Sequence, residues 1–190
     1  MALEVEIKFK IEDLEDLKVL NHRLRAAGFH LVTKRTSETN TLYDLPGHPL
    51  RQKGEVLRLR SYGDRWTVTF KAKGKAGRHK SRKEIETRVE DGPSMAGILE
   101  ALGFAPSFRY EKFRTEWADA QGHVVVDETP IGNFGEIEGP AKWIDAVARR
   151  LEITPDQYIT DSYAVLFLKW KQETGSKAAD MLFKTVRSRR

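Results

Sequence analysis

The sequence predicts an α+β domain in which an antiparallel β-sheet closes into a barrel, its charged face inward and its apolar face covered by helices. Three observations carry this reading. Pairs of charged residues two apart recur on strand-like segments: Glu4/Glu6, Arg58/Arg60, Lys71/Lys73, Glu84/Glu86, Lys112/Arg114 and Glu136/Glu138. Most of these charged residues alternate with apolar or threonine neighbours, the period of a strand with two unlike faces. Helical segments stand between the strands and can cover one side of the sheet. A sheet with this many strands also tends to curl and close, which removes its edges.

The elements follow in order. "EVEIKFK" sets Glu4, Glu6, Lys8 and Lys10 against Val5, Ile7 and Phe9. "EDLEDLKVLNHRLRAAGF" is an amphipathic helix with Leu14, Leu17, Leu20 and Leu24 at helical spacing and Gly28 as its stop. "VLRLR", "WTVTFKAK" and "SRKEIETRV" are strands, with "KGKAGRHKSR" a flexible basic loop before the last. "SMAGILEALGF" is a short helix with Ser94 as its expected N-cap. "YEKFRTEW", "HVVVDE" and "FGEIEG" are further strands, with Gly132, Phe134 and Gly135 expected to shape the turn before "EIEG". "PAKWIDAVARRLEI" opens a helix with proline, and "DSYAVLFLKWKQETG" is a helix capped by Asp161 or Ser162, with Tyr163 expected in the core. No segment has the composition of an interdomain linker. The expectation is one domain over residues 1–175 and a basic tail over 176–190.

The chain has 190 residues and 32% charged residues, above the usual quarter, yet is long enough for a real core. It has no cysteine, which excludes disulfides and thiolate metal sites. The start "MALEVEIKFK" lacks the apolar stretch of a signal peptide, and runs such as "YAVLFL" are too short to span a bilayer. These features point to a cytoplasmic protein with no membrane partner. The net charge of +5 suggests nucleic acid, but Lys177, Lys184, Arg187, Arg189 and Arg190 against Asp180 account for +4 of it. An RNA-binding barrel also wants aromatics among its strand bases, whereas Trp66, Phe70, Phe113 and Trp117 fall on the opposite face. No nucleic-acid partner is expected.

A tunnel lined by both signs of charge suits a highly charged ligand. Carboxylates two apart on a strand have Cα atoms about 7 Å apart and can converge on a cation. Mg²⁺ and Mn²⁺ prefer oxygen ligands, and Mg²⁺ commonly bridges a few carboxylates to phosphates. Arg and Lys on neighbouring strands would grip phosphate oxygens. Acids for metal beside bases for phosphate indicate a polyphosphate. There is no Walker-type glycine loop, and the five histidines share no ligand spacing.

"EVEIKFK" resembles the E-x-E-x-K signature that opens CYTH domains, the triphosphate tunnel metalloenzymes. "ETNTLYDLP", "GEVLRLRSYG", "TVTFKAK", "RKEIETRV", "YEKFRTEW", "VVVDETPIGNFGEIEG" and "DSYAVLFL" follow in the family's order, from residue 4 to about residue 170. The family includes class IV adenylate cyclases, thiamine triphosphatases, inorganic tripolyphosphatases and fungal RNA triphosphatases. The resemblance implies an antiparallel barrel of about eight strands forming a tunnel. It implies Glu4 and Glu6 as metal ligands, with Asp127, Glu136 and Glu138 completing one or two sites for Mg²⁺ or Mn²⁺. It implies Lys8 as a phosphate contact or organiser of the nucleophile. Arg58 and Arg60 would hold the triphosphate, with Lys71, Lys112 and Arg114 as further contacts and Lys73 and Arg82 nearer the flexible loop. Glu84 and Glu86 match an acidic strand that binds metal or balances the bases.

Two reactions use this equipment: hydrolysis of a terminal phosphate, and cyclisation of ATP to cyclic AMP with release of pyrophosphate. Hydrolysis asks less, needing no base pocket, and a triphosphatase is the favoured reading. Its substrate would be tripolyphosphate, ATP or thiamine triphosphate. A module that binds polyphosphate without turnover is a further alternative. The chain is expected to be a monomer or homodimer.

Overall fold

The computed structural model describes residues 2–75 and 77–186. Strand β1 (Ala2–Ile11) leads into helix α1 (Leu14–Ala26), whose first turn is held by Asp13 accepting from the amides of Glu15 and Asp16. Strand β2 (His30–Asp44) and the short helix α2 (Pro49–Lys53) precede the hairpin of β3 (Val56–Tyr62) and β4 (Arg65–Lys71). Strand β5 (Lys80–Val89), helix α3 (Gly92–Ala101), and strands β6 (Ala105–Ala118), β7 (His123–Thr129) and β8 (Gly132–Glu138) follow. Helix α4 (Ala141–Arg150), a single 3-10 turn, α5 (Tyr163–Thr174) and α6 (Phe183–Val186) complete the chain. No helix among the described residues is long and apolar enough to cross a membrane.

The strands form a closed antiparallel barrel in the order β1-β5-β4-β3-β2-β6-β7-β8. Closure falls on β1, which pairs Glu6 with Lys80 of β5 on one edge and with Glu138 of β8 on the other. Beyond the end of β5, Lys8 exchanges both backbone hydrogen bonds with Ile159, at 2.9 and 2.7 Å, so the freed edge is covered.

The apolar faces point outward under helices, as the alternation requires. Helices α1 and α4 lie over β1, β7 and β8, burying Leu24, Ile144 and Val147 against Ile7, Val124 and Ile137. Full burial of such side chains contributes about 1.5–3 kcal/mol each. Helix α3 covers Leu57, Leu59 and Val68 with Leu99, Met95 and Ala96. A third cluster is different in kind. Phe134 shares its face of β8 with Glu136, and Tyr110 shares its face of β6 with Lys112. Both are buried with Tyr163 and Phe167 of α5 and with Met181, which is fully buried. One end of the charged interior is therefore stopped by aromatic packing.

Several local expectations change. Strand β2, read in the sequence only as a motif around "ETNTLYDLP", is the longest strand of the barrel. Asp91 caps α3, and Ser94 instead donates its amide to Asp91; the helix starts earlier because Pro93 needs no partner in a first turn. Pro140 takes the N-cap position of α4. Only Gly132, with φ of 127°, serves the β7–β8 turn. Phe134 packs inward, and Gly135 makes room for Phe9: a Cβ there would meet the Phe9 ring at 2.0 Å. The basic loop is tied down, since Arg78 and His79 both reach Asp145 of α4 and Lys75 pairs with Ser81. The C-terminal segment also docks: Met181 exchanges backbone hydrogen bonds with β6, and Asp180 accepts from the Arg109 amide. Arg187, Arg189 and Arg190 lie outside the described residues.

Candidate active site

Side chains from all eight strands meet inside the barrel, and they sort into two walls. On β1, β5 and β8 the inward residues are mainly acids. Glu4 accepts from Lys71 at 2.7 Å and from Arg82 at 2.9 Å, and Glu6 accepts from Lys80 at 3.0 Å. Lys71 also reaches Glu84 at 2.8 Å. Lys8 donates to Glu136 at 2.5 Å. Glu138 stands beside Glu6 across the β1–β8 ladder with its residue exposed at the rim.

On β2, β3, β6 and β7 the bases predominate. Arg114 makes two hydrogen bonds to Asp127, at 2.7 and 2.6 Å, and one to Glu136 at 2.6 Å. Lys112 donates to the same Asp127 at 2.8 Å and lies 3.3 Å from Glu38. Arg60 reaches Glu86 at 3.2 Å, and Arg58 donates to Thr69 at 3.3 Å.

The titration behaviour follows from these pairings. Burial works against the charge on Glu4, but Lys71 and Arg82 hold its carboxyl down to about 2. Glu38 is likewise buried, and Lys112 and Arg114 hold it down to about 2. Burial lowers the Lys8 ammonium, yet Glu136 and Glu6 outweigh this and raise it above the ordinary lysine value. Lys8 is therefore held in its charged form in this arrangement. Glu138 goes the other way: its protein surroundings, then the charges of Glu4, Glu6 and Glu136, push it up to about 7. Its exposure to water weakens the burial effect, which leaves repulsion among neighbouring acids as the cause to be answered.

That repulsion is the test of whether the acids suit a metal. Four all-oxygen carboxylates on adjacent strands, one of them retaining a proton near neutrality, are a donor set matched to a hard divalent cation. Among the described residues, no three such groups stand in a ligating arrangement. The reason is that Lys71, Lys80, Arg82 and Lys8 occupy the carboxylates. Cations that turn toward phosphate would release Glu4, Glu6, Glu136 and Glu138.

Most sequence-predicted residues are thus brought together: Glu4, Glu6, Lys8, Arg58, Arg60, Lys71, Arg82, Lys112, Arg114, Asp127 and Glu136 face the interior, with Glu138 at its rim. Lys73 is not among them. It lies past the end of β4, exposed, with its stem against Gly54. Asp127 has no exposure and is engaged by Lys112, Arg114 and the Tyr163 hydroxyl, the last at 2.7 Å. Its neighbours make it an anchor for bases.

Sequence reasoning missed four contributors. Glu38 and Asn40 are buried on β2, where threonines hide the alternation. Lys80, within the basic loop by composition, lies on β5 and contacts Glu6. Tyr163 is buried as expected, but beneath two ammonium groups: Lys8 at 4.7 Å and Lys112 at 4.8 Å from its ring centre. The "DSY" start of α5 was its visible signal. Beside this centre, a cavity of about 480 Å³ is lined by Arg58, Lys71, Lys80, Arg82, Tyr163 and Leu168.

Comparison with known proteins agrees with this fold. A protein of Methanocaldococcus jannaschii, named "Putative adenylate cyclase MJ0240", is 29% identical over 175 residues, covering 86% of this chain and 98% of its own. A solved structure from Vibrio parahaemolyticus with the same provisional name superposes with a TM-score of 0.77 at 18% identity, covering 87% of this chain and 98% of that one. The PH1819 protein of Pyrococcus horikoshii gives 0.72 at 22% identity, covering 87% and 98%. The CYTH domain model matches residues 2–180. The fold is shared with these structures, and the chain belongs to the CYTH domain family.

Proposed function

We propose that the protein is a phosphohydrolase dependent on a divalent metal, Mg²⁺ or Mn²⁺, that acts on a triphosphate bound in the barrel. The observation that carries this reading is the partition of charge: acids crowd on β1 and β8, while Arg58, Arg60, Lys112 and Arg114 line the facing wall. A triphosphate is long enough to engage bases from several strands at once. As it enters, Lys71, Lys80 and Arg82 exchange carboxylate for phosphate oxygen, and Glu4, Glu6, Glu136 and Glu138 become available to hold the cation. A bound Mg²⁺ or Mn²⁺ supplies neutralisation of the charge on the phosphate oxygens. The chain's own contribution is to bind and straighten the triphosphate, to keep Lys8 protonated beside it, and to exclude bulk water at the Tyr163 end.

Conversion of ATP to cyclic AMP is the second reading, favoured by the name of the M. jannaschii relative. A Hippeastrum protein first named as an adenylyl cyclase, HpAC1, is described as having a dominant triphosphatase activity, so that name does not distinguish the two reactions. It superposes with a TM-score of 0.61 at 18% identity.

The test is product analysis by ³¹P NMR with tripolyphosphate, ATP or thiamine triphosphate, each with Mg²⁺, Mn²⁺ or EDTA. Metal-dependent orthophosphate is the expected result. Cyclic AMP with pyrophosphate from ATP overturns it in favour of the cyclase. Tight binding with no product, and no loss of binding in Glu4→Gln or Glu6→Gln, makes the protein a non-catalytic anion binder.

A further inference from the structure

Three adjacent strands change chemistry toward the same end of the barrel. On one face of β2, Glu38, Asn40 and Leu42 run from charge to hydrocarbon within five residues. On β6, Lys112, Tyr110 and Phe108 make the same change, and on β3, Arg60 and Arg58 give way to Val56. The ladders place Leu42 opposite Arg58 on one side and opposite Phe108 on the other. A guanidinium and an apolar wall therefore adjoin. Both line the cavity of about 480 Å³, together with Lys71 and Lys80 on its basic side. Helix α5 supplies a further wall. It turns Tyr163 and Phe167 into the aromatic core, while Val165 and Leu168 line the cavity and stay 38% and 43% exposed. Phe108 stacks on Phe167 with ring centres 5.5 Å apart, so the apolar side is braced by ring packing.

A cavity of this size, apolar on one side and with a few charged groups on the other, has the build of a small-molecule site. Inorganic tripolyphosphate would meet the bases and leave the apolar wall against water. An uncharged ligand would cover the wall and leave Arg58, Lys71 and Lys80 beside hydrocarbon, which is costly for charged groups. A triphosphate esterified to an apolar or aromatic group answers both sides. Granted the triphosphate site proposed above, we infer that this cavity selects organic triphosphates over inorganic tripolyphosphate, with Leu42, Phe108 and Leu168 making the choice. The organic group lies against that wall, and the phosphate attached to it meets Arg58. The terminal phosphate runs on into the charged interior. Tripolyphosphate is held by the same bases but gains nothing from the apolar side.

Calorimetry in EDTA tests this by measuring binding of tripolyphosphate, ATP and thiamine triphosphate apart from metal-dependent turnover. At least one of the two esters should bind the wild type about tenfold or more tightly than tripolyphosphate, the scale on which filling an apolar pocket discriminates. Leu168→Ser, at an exposed position, should cut that ratio to about threefold or less, and Phe108→Ala should do the same. Tripolyphosphate bound as tightly as both esters overturns the selection, and so does a ratio that Leu168→Ser leaves unchanged. A wild type that prefers an ester in this way but releases no orthophosphate with Mg²⁺ or Mn²⁺ keeps the selective cavity and overturns the hydrolase reading. A wild type that hydrolyses tripolyphosphate and binds neither ester more tightly does the reverse. Binding of none of the three overturns the triphosphate site and the role of the cavity with it.

Discussion

On the β2–β6–β7 wall the acids Glu38 and Asp127 have no exposure, and Lys112 and Arg114 stand against both. On the β5–β1–β8 wall the acids Glu4 and Glu6 keep 11% exposure, and Glu138 has neighbours of its own sign. The first wall is compensated from within the protein. The second is compensated partly by bases on β4 and β5 that can be drawn away, and it carries an acid, Glu138, whose affinity for a proton is raised by its surroundings and by neighbours of its own sign. A dry, closed network holds its shape, whereas a wetter network with surplus acid can exchange partners. On the proposed reading, the anion would meet the rigid wall and the cation the responsive one.

The sharpest way to break this comparison is to remove one arginine from each side. Arg114→Ala leaves Asp127, Glu38 and Glu136 short of a partner in the buried wall and should cost about 3–5 kcal/mol in denaturant unfolding. Arg82→Ala leaves Glu4 to Lys71 and Glu6 to Lys80 and should cost less than half as much. Equal losses would mean that the two walls do not differ.

The pH dependence separates them next. Glu138 is raised in the folded protein to about 7, from an ordinary 4.5, so the folded state binds its proton more tightly. Stability without metal therefore falls as pH rises from about 4.5 through 7. Glu4 and Glu38 are lowered to about 2, so their contribution is present above the ordinary value and is lost as pH falls toward 2. Thermal melts without metal should peak near pH 5. Glu138→Gln, or added Mg²⁺, should recover about 2–4 °C at pH 8. A Glu138→Gln melt that declines like the wild type would remove the acid repulsion from the account.

The smallest expected effect sharpens the boundary. Lys73→Ala should leave the KM for tripolyphosphate within about twofold, while Arg58→Ala raises it at least about tenfold, as loss of a paired guanidinium contact should. A large effect from Lys73 would extend the phosphate site past the end of β4.

Much of this was legible in the residues because charge alternation is a local signal. Glu4/Glu6, Arg58/Arg60 and Glu136/Glu138 show their strand and their face within a few positions. Strand β2 is opaque for the same reason: in "TSETNTLYD" the residues flanking Glu38 and Asn40 are polar, so neither period nor contrast marks the inward face. Lys73 shows the opposite failure, since "FKAK" continues the alternation past the last residue of β4, to a side chain that is exposed. Tyr163 is legible as core, but its position beneath Lys8 and Lys112 depends on where α5 meets the barrel end, a tertiary relation that the apolar run "YAVLFL" does not encode. Lys80 escaped because composition marked a loop where pairing with Glu6 extends a strand.

Closure through β1 has a consequence for how the protein is made. The strand bearing Glu4, Glu6 and Lys8 is synthesised first, yet its neighbours are β5 and β8, and Ile159 completes its edge. At about 5–20 residues per second, roughly 7–25 s of translation separate β1 from the end of β8. Throughout that interval the strand bearing Glu4 and Glu6 has no β8 to lie against. Its alternating charge then acts as a guard against pairing with other nascent chains. The residues that crowd the finished site also protect the unfinished one.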